Sequence, residues 1–299
     1  MKTSTAKKLE NVTLPVPKPF AKWAGGKSQL LEQYEPLFPE TFHAYHEPFL
    51  GGGAAFLHLA HSRPRDAFGP AILSDANADL VSAWQAIRDQ PSELIAHLRE
   101  HAAAYAKAPK QYYARVRAQH APTTYLQEAA RFIFLNRTCF NGLYRVNRKG
   151  EFNVPIGRYK NPRICDAENI YTLSELLSRF VPVGKRDFSS ILVGHRPPLA
   201  DDFVYLDPPY LPMDDTADFT KYTADGFTYD DHIRLRDFCR ELDERKVKFM
   251  LSNSDTFASW QLYGKDGFNI VRVRARRNVN SKGDKRGEIN ELVIRNYDS

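Results

Sequence analysis

Four consecutive residues, Asp207-Pro208-Pro209-Tyr210, have the types and spacing to do chemistry on an amine. They follow Phe203-Val204-Tyr205-Leu206, an apolar run rich in strand formers and too short for a helix, and the two prolines stop either element from continuing. Asp207 is therefore predicted at the carboxyl end of a strand, where open α/β sheets place their ligands. The carboxylate and the Pro208 carbonyl can each accept a hydrogen bond from a planar amino group, while Tyr210 stacks on the ring that carries it. A bare Asp-Pro pair is an ordinary turn. The full tetrapeptide after an apolar strand points to a catalytic cradle.

A second set of residues could hold a nucleotide-like co-substrate. Trp23-Ala24-Gly25-Gly26-Lys27 opens a short helix, and its free N–H groups, Lys27 and the Trp23 face suit a carboxylate beside an aromatic or sulfonium group. The leading glycine of a phosphate-binding loop is missing. His43 to Phe49 reads as a strand running into Gly51-Gly52-Gly53 and then a helix, so glycine would let a ligand approach the backbone after Phe49. Ala71 to Asp75 is a second strand, and its terminal Asp75 is placed to accept from ribose hydroxyls. Val181 to Phe188 is a third, ending in Asp187 and Phe188, an acceptor for an adenine amino group and a ring to pack on it. Dehydrogenases share the glycine turn and the Asp75 placement, which by themselves leave hydride and methyl transfer open.

A third set reads as a nucleic-acid contact. Asn136 to Gly157 is dense in Arg, Asn and aromatic residues around a hairpin turn signal, Asn141-Gly142, and a second turn candidate, Lys149-Gly150. Arginine pairs with guanine O6 and N7, apolar groups touch thymine methyls, and an aromatic can wedge into a base step. The candidates are Arg137, Phe140, Asn141, Leu143, Arg145, Asn147, Pro155 and Arg158. From Arg131 to Arg163 there are eight basic residues against one acid, Glu151, so this stretch is a local basic patch. A second basic loop, with seven positive charges from 272 to 286 against Asp284 alone, is a candidate for phosphate contact.

The elements that must position these residues alternate as in an α/β chain. Further strands are expected at Val247 to Asn253, Phe268 to Ala275 and Ile289 to Tyr297, the last two an antiparallel pair. Helical spacing runs over Asn77 to Arg99, Gln111 to Gln119 and Thr124 to Asn136, with a connection around His101 to Pro109, and resumes from Asp230 to Lys246. Leu211 to Thr228 is a long polar loop beside the cradle and reads as a lid. Residues 1 to about 18 read as a loosely held arm. A chain of 299 residues, 42% hydrophobic, supports one large domain with an insertion or two domains. Its 42 Lys and Arg against 36 Asp and Glu permit a polyanionic partner. Cys139, Cys165 and Cys239 make no metal pattern and suggest a reducing compartment. With no apolar leader and no membrane-spanning run, a cytoplasmic protein is expected.

The order of these motifs resembles the DNA adenine methylase (Dam) family of S-adenosylmethionine-dependent N6-adenine methyltransferases, from about Phe20 to the C-terminus. The most specific parts are Lys22-Trp23-Ala24-Gly25-Gly26-Lys27, Glu47-Pro48-Phe49 with Gly51 and Gly53, Asn141-Gly142-Leu143 through Pro155, and Asp207-Pro208-Pro209-Tyr210. Cofactor turns precede the target-reading insertion, which precedes the catalytic tetrapeptide, as in the α arrangement of amino-methyltransferases. The resemblance implies a Rossmann-like methyltransferase fold: a seven-stranded, mostly parallel sheet with an antiparallel last hairpin, plus a helical and hairpin insertion. It implies a catalytic domain of residues 19–83 and 166–299 and a target-recognition domain of 84–165.

The resemblance also implies roles. Asp207, Pro208, Pro209 and Tyr210 would be catalytic. Trp23, Lys27, Phe49, Gly51, Gly53, Asp75, Asp187 and Phe188 would hold S-adenosylmethionine. In a GATC site of double-stranded DNA, Lys22 would contact the first guanine, Leu143 and Pro155 the thymine, and Arg145 the guanine paired with the last cytosine. Phe140 and Asn141 would fill the gap left by a flipped-out adenine. The family often has tyrosine at the position of Phe140, which keeps the stacking and loses a hydroxyl. The expected partners are DNA and the donor, without a membrane, for a protein monomeric in solution in a bacterial or phage-infected cell; a restriction-modification, phage or housekeeping role is open. A cytosine-N4 methyltransferase would use the same cradle. A protein-glutamine methyltransferase would present Asn in place of Asp207, and a non-catalytic DNA-binding protein would have no need of Asp207 and Tyr210.

Overall fold

The computed structural model describes residues 15–23, 25–64, 68–119, 124–212, 226–276 and 288–298. Seven strands form one sheet: β1 (Tyr45–Glu47), β2 (Ala71–Asp75), β3 (Gly184–Lys185), β4 (Phe203–Leu206), β5 (Lys248–Ser254), β6 (Asn269–Arg276) and β7 (Glu288–Arg295). Their order is β3-β2-β1-β4-β5-β7-β6. The first five are parallel, and β7 runs antiparallel to both β5 and β6. Strand order reverses between β1 and β4, so the carboxyl ends of these two neighbours open a crevice at the topological switch point. The chain leaves β1 into Phe49 to Gly53 and leaves β4 into Asp207. The two motifs that looked most chemical therefore flank one crevice.

Helices cover both faces, which is why β4 is buried at all four positions. Period-two alternation sorts its side chains. Phe203 and Tyr205 join the larger apolar cluster, and Val204 and Leu206 join the second one with Leu235, Phe238 and Leu242. The helices are α1 (Leu31–Tyr34), α2 (Ala54–Ser62), α3 (Ala78–Asp89), α4 (Pro91–Lys107), α5 (Pro109–Arg117), α6 (Tyr125–Thr138), α7 (Ala167–Leu177), α8 (Tyr229–Glu244) and α9 (Phe257–Tyr263). Side chains fix several of their starts: Asn77 accepts from the Leu80 amide, and Thr228 and Asp231 form a reciprocal capping box ahead of α8. No helix among the described residues is long and apolar enough to cross a membrane.

Several expectations from the sequence are corrected. The helix expected over Asn77 to Arg99 is two helices, broken at Gln90-Pro91, and the expected connection from His101 is the continuing α4, which reaches Lys107. Alanine-rich sequence favours helix, and both Pro91 and Pro109 occupy first helical turns, where a missing N–H costs nothing. The eight-residue third strand shrinks to Gly184–Lys185, because Pro182 cannot donate to a ladder and Asp187 caps a 3₁₀ turn over Phe188–Leu192. Most of the lid (213–225), the loop between β6 and β7 (277–287) and most of the arm (1–14) lie outside the described residues.

Candidate active site

Asp207 leaves the end of β4, and the turn behind it is fixed at its far end by β5. The Leu211 amide donates to Asn253 Oδ1 at 3.2 Å, and Ser254 Oγ donates to the Leu211 carbonyl at 2.8 Å. Tyr210 is pinned as well, its hydroxyl donating to Glu291 Oε2 on β7 at 2.7 Å. Burial, with Tyr34 and Asp207 nearby, pushes the Tyr210 phenol well above its ordinary value, so it stays a donor. The chief partner of Asp207 is Lys27: Nζ lies 2.8 Å from Oδ1 and also donates to the Gly25 carbonyl at 2.6 Å. The ammonium sits over the Tyr210 ring, 4.7 Å from its centre. Burial raises the Asp207 carboxyl, and the Lys27 charge and hydrogen bond act against that rise.

Sequence reasoning placed Lys27 with a co-substrate and did not foresee this contact. It also missed Asn253, Ser254 and Glu291. Asn253 sits at the end of an anticipated strand, a signal that could have marked it; nothing local singles out Glu291.

On the other side of the crevice the glycine turn is tightly built. Asp75 closes the end of β2 on it, Oδ2 accepting from the Gly51 amide and Oδ1 from the Asn77 amide, each at 2.9 Å. The Trp84 indole donates to the Gly51 carbonyl at 3.1 Å. Gly51 has φ +50°, and a Cβ there would lie 2.8 Å from the Trp23 ring; Gly53 has φ +70°, and a Cβ there would lie 2.8 Å from Trp84. The bare backbone at these two positions thus admits indole rings first of all. Glu47 is buried, takes the Tyr45 hydroxyl at 2.8 Å, and burial pushes its carboxyl well above the usual range. Phe49 and Phe188 stack with centroids 5.3 Å apart. Asp187 Oδ1 accepts from the Ser189 amide and hydroxyl and from Arg234, so one of the two oxygens expected to grip an adenine amine is engaged in capping a turn.

This turn fits a nucleoside-bearing methyl donor on its chemistry. Both Asp75 oxygens accept backbone N–H groups and, as carboxylate oxygens, have further lone pairs that a hydroxyl could meet, and the Phe49–Phe188 stack supplies an apolar wall beside it.

The basic segment is tied to the same region through one residue. Asn136 on α6 is 2% exposed; its Oδ1 accepts from the Lys22 amide at 2.8 Å, and its Nδ2 donates to the carbonyls of Lys22 and Gly142 at 2.8 and 3.0 Å. Trp23, which leans on Gly51, lies 5.9 Å from the Tyr144 ring, and the Tyr144 hydroxyl donates to Asp79 on α3. Asn141 and Gly142 both have positive φ, 55° and 67°, in a tight turn closed by the Leu143 amide on the Phe140 carbonyl. A Cβ on Gly142 would lie 2.4 Å from the Lys22 side chain.

Lys149-Gly150 closes a hairpin in which Val146 faces Phe152. The Asn141-Gly142 turn does not pair its own flanks; Cys139 bridges instead to Ile156. Phe140 is 46% exposed, and Asn141, Arg145, Pro155 and Arg158 are exposed beside half-buried Leu143. Lys22 is exposed with its ammonium 4.0 Å from the Tyr159 ring centre. Two expected contacts are differently disposed. Asn147 spends its amide inside the turn, on the Lys149 and Glu151 amides and the Glu151 carboxylate. Arg137 is half-buried, its guanidinium lowered chiefly by burial, near Asp166 and Arg163.

Comparison with known proteins identifies the family. The family model for D12 class N6 adenine-specific DNA methyltransferase matches residues 23–279. A type II methyltransferase of Methanocaldococcus jannaschii is 43% identical over 297 residues, spanning 94% of this chain and 99% of the relative. One from Lactococcus lactis subsp. cremoris is 40% identical over 286 residues, spanning 94% and 95%. The DNA adenine methylase of Escherichia coli strain K12 is 33% identical over 276 residues, spanning 92% and 93%. The cradle at the end of β4, the glycine turn at the end of β1 and the basic hairpin between them in sequence lie within the matched span, and the chain belongs to the D12 class of N6-adenine DNA methyltransferases.

Proposed function

We propose that this DNA adenine-N6 methyltransferase acts within GATC, turns the target adenine out of the duplex, and takes its methyl group from S-adenosylmethionine. Residues 84–165 are the target-recognition unit and 19–83 with 166–299 the catalytic one. The observation that carries the reading is the Asp207 carboxylate at the switch point, already paired at 2.8 Å with a nitrogen cation over the Tyr210 face. A site that holds an ammonium in that position can hold an N–H donor on a stacked ring.

The chemistry asks the protein to make a poor nucleophile better. The N6 lone pair is delocalised into the purine. Asp207 and the Pro208 carbonyl, each accepting one N–H, favour a tetrahedral nitrogen whose lone pair is free to attack. Asp207 is also the acceptor within reach of the proton that the nitrogen must shed. Tyr210, anchored by Glu291, offsets part of the few kcal/mol that unstacking the base costs. When bound, S-adenosylmethionine supplies a methyl group made electrophilic by its sulfonium. Trp23, Phe49, Gly51, Gly53, Asp75, Asp187 and Phe188 are the residues that would hold it, the Asp75 oxygens accepting from its hydroxyls. On the DNA side, Lys22, Leu143, Arg145 and Pro155 read the bases while Phe140 and Asn141 fill the vacated stack.

The test is to treat plasmid DNA with purified protein and labelled donor and to map each modified base with its neighbours. N6-methyladenine confined to GATC is expected. N4-methylcytosine, or adenine modified in another context, would overturn the assignment.

A further inference from the structure

Lys27 is a charged side chain only 3% exposed, and among the described residues its ammonium meets a carboxylate oxygen of Asp207, the backbone carbonyl of Gly25 and the face of Tyr210. Carboxylate, carbonyl and tyrosine face are also the kinds of group that the cradle offers to the exocyclic amine of a base. Nζ lies 4.7 Å from the ring centre, in the layer that a base stacked on this face would fill. Base and ammonium therefore compete for the same space and for the same Asp207 oxygen.

From this geometry we infer that Lys27 is a stand-in for the substrate amine: it occupies the Asp207 cradle in the free enzyme and is displaced when the target base enters. The inference rests on the reading of Asp207 and Tyr210 as the receiving site.

Two consequences follow from the chemistry. While the cradle waits, the ammonium's charge and hydrogen bond oppose the rise that burial imposes on the Asp207 carboxyl. On entry, an arriving base must replace the donor that Asp207 loses. Adenine and cytosine carry an amino group that can do so. Thymine offers only a carbonyl at the corresponding edge, which would face the carboxylate with no hydrogen between them. Lys27 thus acts as a threshold that only an amine-bearing base crosses, ahead of any chemical step. It is a positioning residue that yields its place.

The experiment measures base entry separately from methyl transfer. A duplex with one unmethylated target adenine is bound by full-length protein with S-adenosylhomocysteine, and permanganate oxidation of the opposing thymine reports the opened pair. Lys27→Met, which keeps the stem and removes the charge, is expected to raise oxidation at least about threefold over wild type. The acid limb of its methyl-transfer profile should move to higher pH, because Asp207 has lost its neighbouring cation. Oxidation equal to or below wild type overturns the inference, whatever happens to cofactor affinity. If Lys27→Met does not melt as a folded protein, Lys27→Gln takes its place in the same assay. Asp207→Asn separates the two claims: full turnover in that variant removes the cradle itself, whereas lost turnover with unchanged oxidation in Lys27→Met removes only the role of the lysine.

Discussion

In the proposed mechanism Asp207 receives the amine as an anion, and its surroundings pull in two directions: burial raises the carboxyl, and Lys27 opposes the rise. Asp207→Asn keeps the shape and one acceptor oxygen but loses the charge. We expect methyl transfer to fall by at least about a hundredfold, as for loss of a preorganised electrostatic contact. DNA retention in a gel-shift assay should stay within about threefold, since phosphate contacts dominate affinity. Arg145 lies on the exposed hairpin, its Nε donating to Asn153 Oδ1 at 2.6 Å. Removing it with Arg145→Ala should cost about 1–3 kcal/mol of discrimination at one guanine position, read by competition between substrates differing only there. At this scale much was legible. Asp207 and Tyr210 carry their chemistry in their types and in the strand that precedes them. The pairing of Lys27 with Asp207 was not, because the two lie 180 positions apart and no local pattern records the contact.

At the scale of elements, the basic hairpin is held in place by a clamp. Asn136 satisfies both backbone groups of Lys22 and the carbonyl of Gly142, and Gly142 has no room for a side chain. Asn136→Ala leaves those groups unpaired and should lower stability by about 1–3 kcal/mol in urea unfolding. Because the clamp sets Lys22 against the Phe140 turn, the proposed GATC preference should weaken more than S-adenosylhomocysteine affinity does. The Asn141-Gly142 and Lys149-Gly150 turns could be read from their dipeptides, since positive φ demands such residues. Asn136 could not, as an Asn near a helix end looks like any other until its partner 114 positions away is known. Pro91 and Pro109 misled in the opposite sense: both mark helix starts, one inside what reads as a single helix and one at the end of what reads as a connection.

For the molecule as a whole, acid is the telling perturbant. Burial lowers His101 and His232 from 6.5 to about 4, and neither ring nitrogen of His232 has a hydrogen-bond partner among the described residues. Each is neutral when folded and takes up a proton more readily when unfolded, so their stability contribution is complete above pH 6.5 and is lost as pH falls toward 4. The urea midpoint should decline over that window, and His232→Leu should flatten the decline. Asp202 acts lower down. Its burial would raise the carboxyl, but hydrogen bonds from His46 and the Leu199 amide outweigh that and hold it below 3.8, so its share disappears only below that pH. Strand order left no local trace; the antiparallel last pair and the turn at Asp207 were visible, but which neighbours flank the crevice is a property of the closed sheet. That sheet ends at β6, and there Gln33 donates to the Arg274 carbonyl at 2.9 Å and accepts from the Arg274 amide at 3.0 Å. A single side-chain amide mimics a neighbouring strand at that position. It denies a foreign polypeptide one rung of the ladder on which fibrous self-assembly would begin.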